Sequence, residues 1–180
     1  MTEFHPIYGK IYRYVICLRI DYSIKENNME IEEQDRRILR ALQEDGHISN
    51  QDLAVKTAMS ASACWRRVRA LETAGIIERY TALVNASKAG LSFHAVVYIH
   101  LARHEFSYVE AFITEVERRP EVLDCFATTG EADYYLRVRC RDLDAYNAFL
   151  DGVLFQLPGI ANVRTSLVLK EIKHQTMLDM

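Results

Sequence analysis

Residues 35–75, DRRILRALQEDGHISNQDLAVKTAMSASACWRRVRALETAG, carry the residue spacing of three consecutive helices. In the first of them Ile38, Leu39 and Leu42 recur at intervals of three and four residues, which predicts one apolar face. Gly46 follows this helix and is predicted to end it in a left-handed conformation. The stretch is therefore predicted to fold as a helical domain.

Two serines predict where the next two helices begin. Ser49 and Ser60 each precede a helical pattern. A serine in this position accepts a hydrogen bond from a backbone N–H that the helix leaves free. The turn at 57–59 separates the two helices, and Gly75 is placed to end the second of them. Two helices joined by a three-residue turn predict a helix-turn-helix.

The last of these helices has an apolar face and a basic face. At 100° per residue, the inner face is predicted to hold Cys64, Val68 and Leu71. The opposite face and its flanks hold Ser62, Trp65, Arg66, Arg67, Arg69 and Thr73. A run of arginines is ordinarily a solvated surface, but this one follows a tight turn and its outward face has no acidic residue. These features favour a helix that enters the major groove of double-stranded DNA, where arginines contact phosphates and guanine edges.

Residues 76–82 alternate in polarity and are predicted to form a short strand, the wing of a winged helix. Arg79 in this strand is expected to contact a backbone phosphate. Trp65 is interpreted either as a base-stacking residue or as a half-buried packing anchor. The candidate DNA-binding residues are Ser60, Ser62, Trp65, Arg66, Arg67, Arg69 and Arg79.

The charge of the chain is distributed unevenly. The formal net charge is −3, but residues 56–79 contain five basic residues and two acidic ones. A local basic stripe matters more for phosphate binding than the charge of the whole chain. Hydrophobic residues make up 49% of the sequence, which argues against disorder as the main state. No stretch approaches the roughly 20 apolar residues of a membrane span. The cysteines lack metal-finger spacing, which indicates a reducing, cytoplasmic location.

Residues 91–175 change from helical spacing to alternation and predict the element order βαββαβ. Strands are predicted at 91–101, 121–129, 133–141 and 162–172. One helix is predicted to begin with a capping box of Ser107 and Glu110, and another to be capped by Asp142. Two βαβ halves make a ferredoxin-like sandwich, with both helices on one face of a four-stranded antiparallel sheet. The predicted fold class is therefore α+β.

The sheet face away from the helices is predicted to be partly aromatic. It is expected to hold His94, Val96, Tyr98, His100 and Tyr135. Exposed aromatic faces usually meet another subunit, so we expect a homodimer to form through this one. His94 and His100 lie about 20 Å apart along one strand and cannot share a metal ion. The sequence also has no glycine-rich phosphate loop and no nucleophile beside a base. No metal site, cofactor or catalytic residue is therefore predicted.

The first 28 residues do not continue either pattern. They have no charged start followed by an unbroken apolar core, so they do not form a signal peptide. Two interpretations remain open. The segment is either translated from a start codon upstream of a natural first residue at Met29, or it is an extra strand or arm that packs on a partner subunit.

Several separated motifs resemble the Lrp/AsnC (feast/famine) family of bacterial and archaeal transcriptional regulators, from about Ile31 onward. They are DRRILRALQEDGHISNQDLA at 35–54, SASACWRRVRALETAGII at 60–77, TTGEADYYLRV at 128–138, LPGI at 157–160 and VRTSLVLKEIK at 163–173. Two features depart from the family pattern. Ala61 and Ala63 stand where many members have proline, and the first 28 residues have no counterpart.

The resemblance implies a winged helix-turn-helix at 31–90 and a ferredoxin-like effector-binding and oligomerisation domain at 91–175, after an N-terminal extension at 1–30. It further implies a homodimer that often assembles to an octamer, and a small effector, usually an amino acid, bound between dimers. The expected function is sequence-specific DNA binding that regulates transcription under the control of that effector. The alternative is a free-standing amino-acid sensor or a small-molecule enzyme without DNA binding.

The resemblance places the effector near a polar loop whose residues are Thr128, Thr129, Gly130, Glu131, Ala132 and Asp133. Backbone N–H groups and threonine hydroxyls suit the carboxylate of an amino acid, and Glu131 or Asp133 suits its ammonium group. The alternative is an ordinary strand-to-strand turn in which Gly130 supplies only a positive φ.

Overall fold

The computed structural model describes residues 30–102 and 105–180, and the N-terminal interpretations above lie outside this range. The described chain divides into two compact units. One holds residues 30–83 together with Ile172–Met180, and the other is Val84–Glu171. The chain therefore leaves the first unit, forms the second, and returns.

The first unit contains three helices, α1 (Glu33–Glu44), α2 (Asn50–Lys56) and α3 (Ala61–Thr73). Ser49 accepts a hydrogen bond from the N–H of Asp52, and Ser60 accepts one from the N–H of Ala63, as predicted. The helix-turn-helix formed by α2 and α3 is thus confirmed.

The core of this unit lies between the three helices. Its buried residues are Ile38, Leu39, Ala41, Leu53, Ala54, Cys64 and Leu71. Val68 packs against them, which confirms the predicted inner face of α3. Burial also raises the pKa of the Cys64 thiol, since a thiolate is poorly solvated there. Cys64 is therefore a core residue.

Two local expectations in this unit are wrong. Gly46 has no positive φ; instead, the side chain of Asp45 accepts the N–H of His47 and its backbone oxygen accepts the N–H of Ile48. No strand forms at 76–82 in the described structure, where the chain is irregular. A strand requires a paired neighbour, and Ile76 and Ile77 pack against the helical core instead.

The second unit has the predicted order βαββαβ. Its elements are β1 (Phe93–Leu101), α4 (Phe106–Glu117), β2 (Val122–Ala127), β3 (Tyr134–Cys140), α5 (Leu143–Gly152), a 3₁₀ turn (Leu154–Gln156) and β4 (Ile160–Leu167). The sheet is antiparallel, with strand order β2-β3-β1-β4. Asp142 caps α5 as predicted. The predicted capping box of α4 is wrong, because Glu105 precedes the helix without a side-chain cap.

Alternation along the strands separates a core face from an open face. Ala95, Val97 and Ile99 of β1 are fully buried, in one cluster with Phe112 of α4 and Phe149 of α5. The intervening residues of β1 point to the open face, where Tyr98 pairs with Tyr135 of β3. Their rings meet edge to face at 4.9 Å. The predicted aromatic face is confirmed for Tyr98 and Tyr135, whereas His94, also expected there, is buried at 7% exposure.

Candidate nucleic-acid interface and effector loop

The outward face of α3 is basic and open to solvent. Ser62, Arg66, Arg69 and Thr73 are all exposed. The guanidinium of Arg66 forms no hydrogen bond or ion pair with any other described residue. Burial of Leu71 and Cys64 on the opposite side fixes this orientation of the helix. The face predicted from the helical angle therefore presents its cations outward.

Arg67, on the flank of the same helix, is bound within the protein. Its guanidinium donates to both carboxylate oxygens of Asp35, at 2.9 and 3.0 Å, and to Glu32 at 2.6 Å. Asp35 is fully buried, and its carboxylate also accepts the N–H of Glu32 at the start of α1. These bonds raise the pKa of Arg67, the one to Asp35 most. Arg67 therefore holds α3 to the N-terminus of α1, a role that the sequence prediction missed.

Arg69 belongs to a cluster of aromatic and charged side chains. It forms an ion pair with Glu72 at 2.8 Å and lies over the ring of Trp65, 5.7 Å from its centroid. Tyr80 donates its hydroxyl to the same Glu72 at 3.1 Å. Burial and this hydrogen bond raise the pKa of Tyr80. Trp65 is 54% exposed, so it both packs in the cluster and reaches solvent.

The N-terminus of α3 carries two hydroxyl groups. The Oγ atoms of Ser60 and Ser62 lie 3.3 Å apart, and both residues are exposed. The positive end of a helix with donors of this kind suits an anion such as a phosphate. Arg79, the remaining candidate, is also exposed.

The polar loop at 128–133, the candidate effector site, is held internally by two of its residues. Thr128 donates its hydroxyl to the backbone oxygen of Ala132 at 2.7 Å, and its N–H to that of Asp133 at 3.0 Å. Asp133 is 5% exposed, and its carboxylate accepts the N–H of Leu101 at 2.8 Å. Ala132 is fully buried. Asp133 thus fixes the loop to the end of β1, and its carboxylate is turned away from solvent.

The outer part of the loop is exposed and meets the open face of the sheet. Glu131 forms an ion pair at 3.1 Å with Arg164 of β4. Arg164 also lies over the ring of Tyr98, 4.6 Å from its centroid. The alternative of an ordinary turn assigned Gly130 only the role of supplying a positive φ. Gly130 has no positive φ in the structure, so it does not have that role. Sequence reasoning did not find Arg164, because its pairing depends on the register between β1 and β4.

Comparison with known proteins identifies both units. Residues 31–78 match the winged helix-turn-helix DNA-binding family, and residues 94–178 match the Lrp/AsnC ligand binding domain. The leucine-responsive regulatory protein of Escherichia coli is 37% identical over 156 residues, which cover 87% of this chain and 95% of that protein. The chain belongs to the Lrp/AsnC family of transcriptional regulators.

Solved structures of Lrp/AsnC regulators have the same fold. A transcriptional regulator of Neisseria meningitidis in complex with L-methionine aligns with a TM-score of 0.78 and 38% identity, covering 82% of this chain and 96% of that one. A feast or famine regulatory protein of Mycobacterium tuberculosis, also complexed with L-methionine, aligns with a TM-score of 0.74 and 26% identity. This alignment covers 82% of this chain and 98% of the Mycobacterium tuberculosis chain. Within the described residues, no helix is long and apolar enough to cross a membrane.

Proposed function

We propose that this Lrp/AsnC regulator binds double-stranded DNA with the outward face of α3. The observation that carries the proposal is the difference in exposure among the arginines. Arg67 is bound to Asp35 and Glu32 and keeps 25% of its side chain exposed, whereas Arg69 pairs only with Glu72 and keeps 62% exposed. Arg66 is also exposed. The proposed DNA contacts are Ser60, Ser62, Trp65, Arg66, Arg69 and Arg79. Arg67 is left out, because its guanidinium is already bound on two sides.

Arg66→Ala and Arg69→Ala test this proposal in a gel shift against the protein's own promoter region. We expect each to weaken binding by about 1–3 kcal/mol if the side chain contacts a guanine. A phosphate contact would instead lower affinity uniformly across sequences and make the salt dependence shallower. Arg118→Ala is the matched control, since it removes one exposed cation from the other unit. Unchanged affinity in the double variant would refute the assigned face.

We also propose that the effector is an amino acid bound at the exposed part of the loop. Thr129, Gly130 and Glu131 are exposed, whereas Ala132 and Asp133 are buried and support them. In this arrangement Glu131 receives the ammonium group, and backbone N–H groups of the loop receive the carboxylate. The L-methionine complexes of the two related regulators support an amino-acid ligand.

A thermal-shift screen of the twenty amino acids tests the effector. We expect a hit to stabilise the wild type and to lose most of its effect in Glu131→Gln. Glu110→Gln serves as the control, because Glu110 is an exposed acid on α4. The absence of any hit at millimolar concentration would leave the loop as a structural turn.

The third part of the proposal is a homodimer that assembles further, up to an octamer, in the cytoplasm. The aromatic open face of the sheet supports its use as the dimer interface, since an exposed face of this kind favours burial against a second copy. Sedimentation of the wild-type chain at micromolar concentration tests this dimer. A wild-type chain that stays monomeric, with Tyr98 and Tyr135 present, would contradict the proposed interface.

A further inference from the structure

Residues Ile172–Met180, here called the return segment, belong to the DNA-binding unit although they follow the regulatory sheet in the chain. The side chain of Gln43 on α1 both accepts a hydrogen bond from the backbone of this segment and donates one to it. Its side-chain oxygen accepts the N–H of Leu178 at 2.6 Å, and its side-chain nitrogen donates to the backbone oxygen of Leu178 at 3.2 Å. A side-chain amide thus satisfies both backbone groups of one residue, as a neighbouring strand would.

Two further contacts hold the same end of the return segment. Arg40, one turn earlier on α1, donates to the backbone oxygen of Met180. The side chain of Met180 packs against the buried core of the three helices. Leu178, in contrast, keeps 69% of its surface exposed. Backbone hydrogen bonds and one methionine therefore hold this end in place.

The chain just before the return segment is fixed to the regulatory sheet. Glu171 forms an ion pair at 3.3 Å with Arg139 of β3, whose side chain is only 12% exposed. Val168 donates its N–H to the backbone oxygen of His94 on β1 at 2.9 Å. Six residues, 172–177, separate Glu171 from Leu178.

We propose that the return segment is a strap that completes the DNA-binding unit by docking on α1. Gln43 and Arg40 hold its backbone, and Met180 adds a side chain to the core of the three helices. The docking of the strap does not depend on the proposed effector, so its test needs neither effector nor DNA.

Hydrogen exchange of the full chain, read by mass spectrometry, tests the docking. In Gln43→Ala we expect amides of residues 174–180 to exchange about five- to tenfold faster, because the N–H of Leu178 loses its acceptor. Gln51→Ala is the matched control, since Gln51 is an exposed glutamine on α2. Wild-type exchange in Gln43→Ala would overturn the proposal.

The consequence of docking for the helices needs a separate variant. In a chain that ends at Glu171, the helix-turn-helix should unfold more easily. The fluorescence of Trp65, the single tryptophan, measures this unfolding. Unchanged Trp65 unfolding in the shortened chain would refute the strap. Protection that rises with protein concentration would show docking on a second copy and would refute it as an intrachain link.

Discussion

Replacing Arg67 by methionine should destabilise the DNA-binding unit far more than replacing its exposed neighbour Arg66. The change removes the hydrogen bonds from Arg67 to Asp35 and Glu32 and leaves the carboxylate of Asp35 buried without its cation. Methionine retains most of the apolar stem, so the loss reports mainly on the charge.

The expected magnitude follows from the burial of the two partners. Breaking a buried ion pair by removing one partner costs about 3–5 kcal/mol. Asp35 is fully buried, but the Arg67 side chain keeps 25% of its surface exposed, so water can partly replace the guanidinium. The lower end of the range, about 3 kcal/mol, is therefore expected, which is roughly a hundredfold in the unfolding equilibrium.

Urea unfolding followed by Trp65 fluorescence measures this effect selectively. Trp65 is the single tryptophan and lies on α3, the helix that carries Arg67. Arg66→Met is the control and should change stability by less than about 0.5 kcal/mol. In the Arg67→Met background, Asp35→Asn should recover part of the loss, because it removes the buried charge and keeps an oxygen for the N–H of Glu32.

The reasoning is refuted if Arg67→Met and Arg66→Met unfold at the same urea concentration. It also fails if Asp35→Asn adds its own loss to that of Arg67→Met, since two members of one ion pair should not act independently.

Three further predictions concern the regulatory unit. Gly159→Ala places a Cβ 2.7 Å from the ring of Tyr108 at a φ of 82°, so it should cost about 2 kcal/mol or more in thermal unfolding. Gly90→Ala has a φ of 87° and no atom within 4 Å, and should cost only the strain of about 1 kcal/mol. The pKa of the Asp142 carboxylate is lowered most by the hydrogen bond from the N–H of Ala145, and next by the one from the guanidinium of Arg141. Its contribution to stability is therefore present above its ordinary value of 3.8 and lost as pH falls below it, so Asp142→Asn should flatten acid denaturation measured by circular dichroism.

Local patterns in the sequence predicted most of the fold. Helical spacing and serine caps identified α2 and α3, and alternation identified the four strands and the aromatic face. These features depend on residues a few positions apart, so they are visible in the sequence itself. The failure at 76–82 had a tertiary cause. Alternation predicted a strand there, but the structure pairs no strand with this segment, and its isoleucines pack on the helices.

The assignment of the charged residues depended on the tertiary structure. The sequence placed Arg67 with Arg66 on a DNA-binding face, and only the approach of α1 shows that Asp35, 32 positions away, binds it. The sequence placed Asp133 among the candidate effector ligands, but in the structure its carboxylate accepts a hydrogen bond from the N–H of Leu101. The docking of Leu178 on Gln43 joins residues 135 positions apart. Periodicity determines which face of an element a residue occupies, whereas the packing of elements determines which groups that face meets. For a charged side chain, that partner decides whether it is free to bind a ligand.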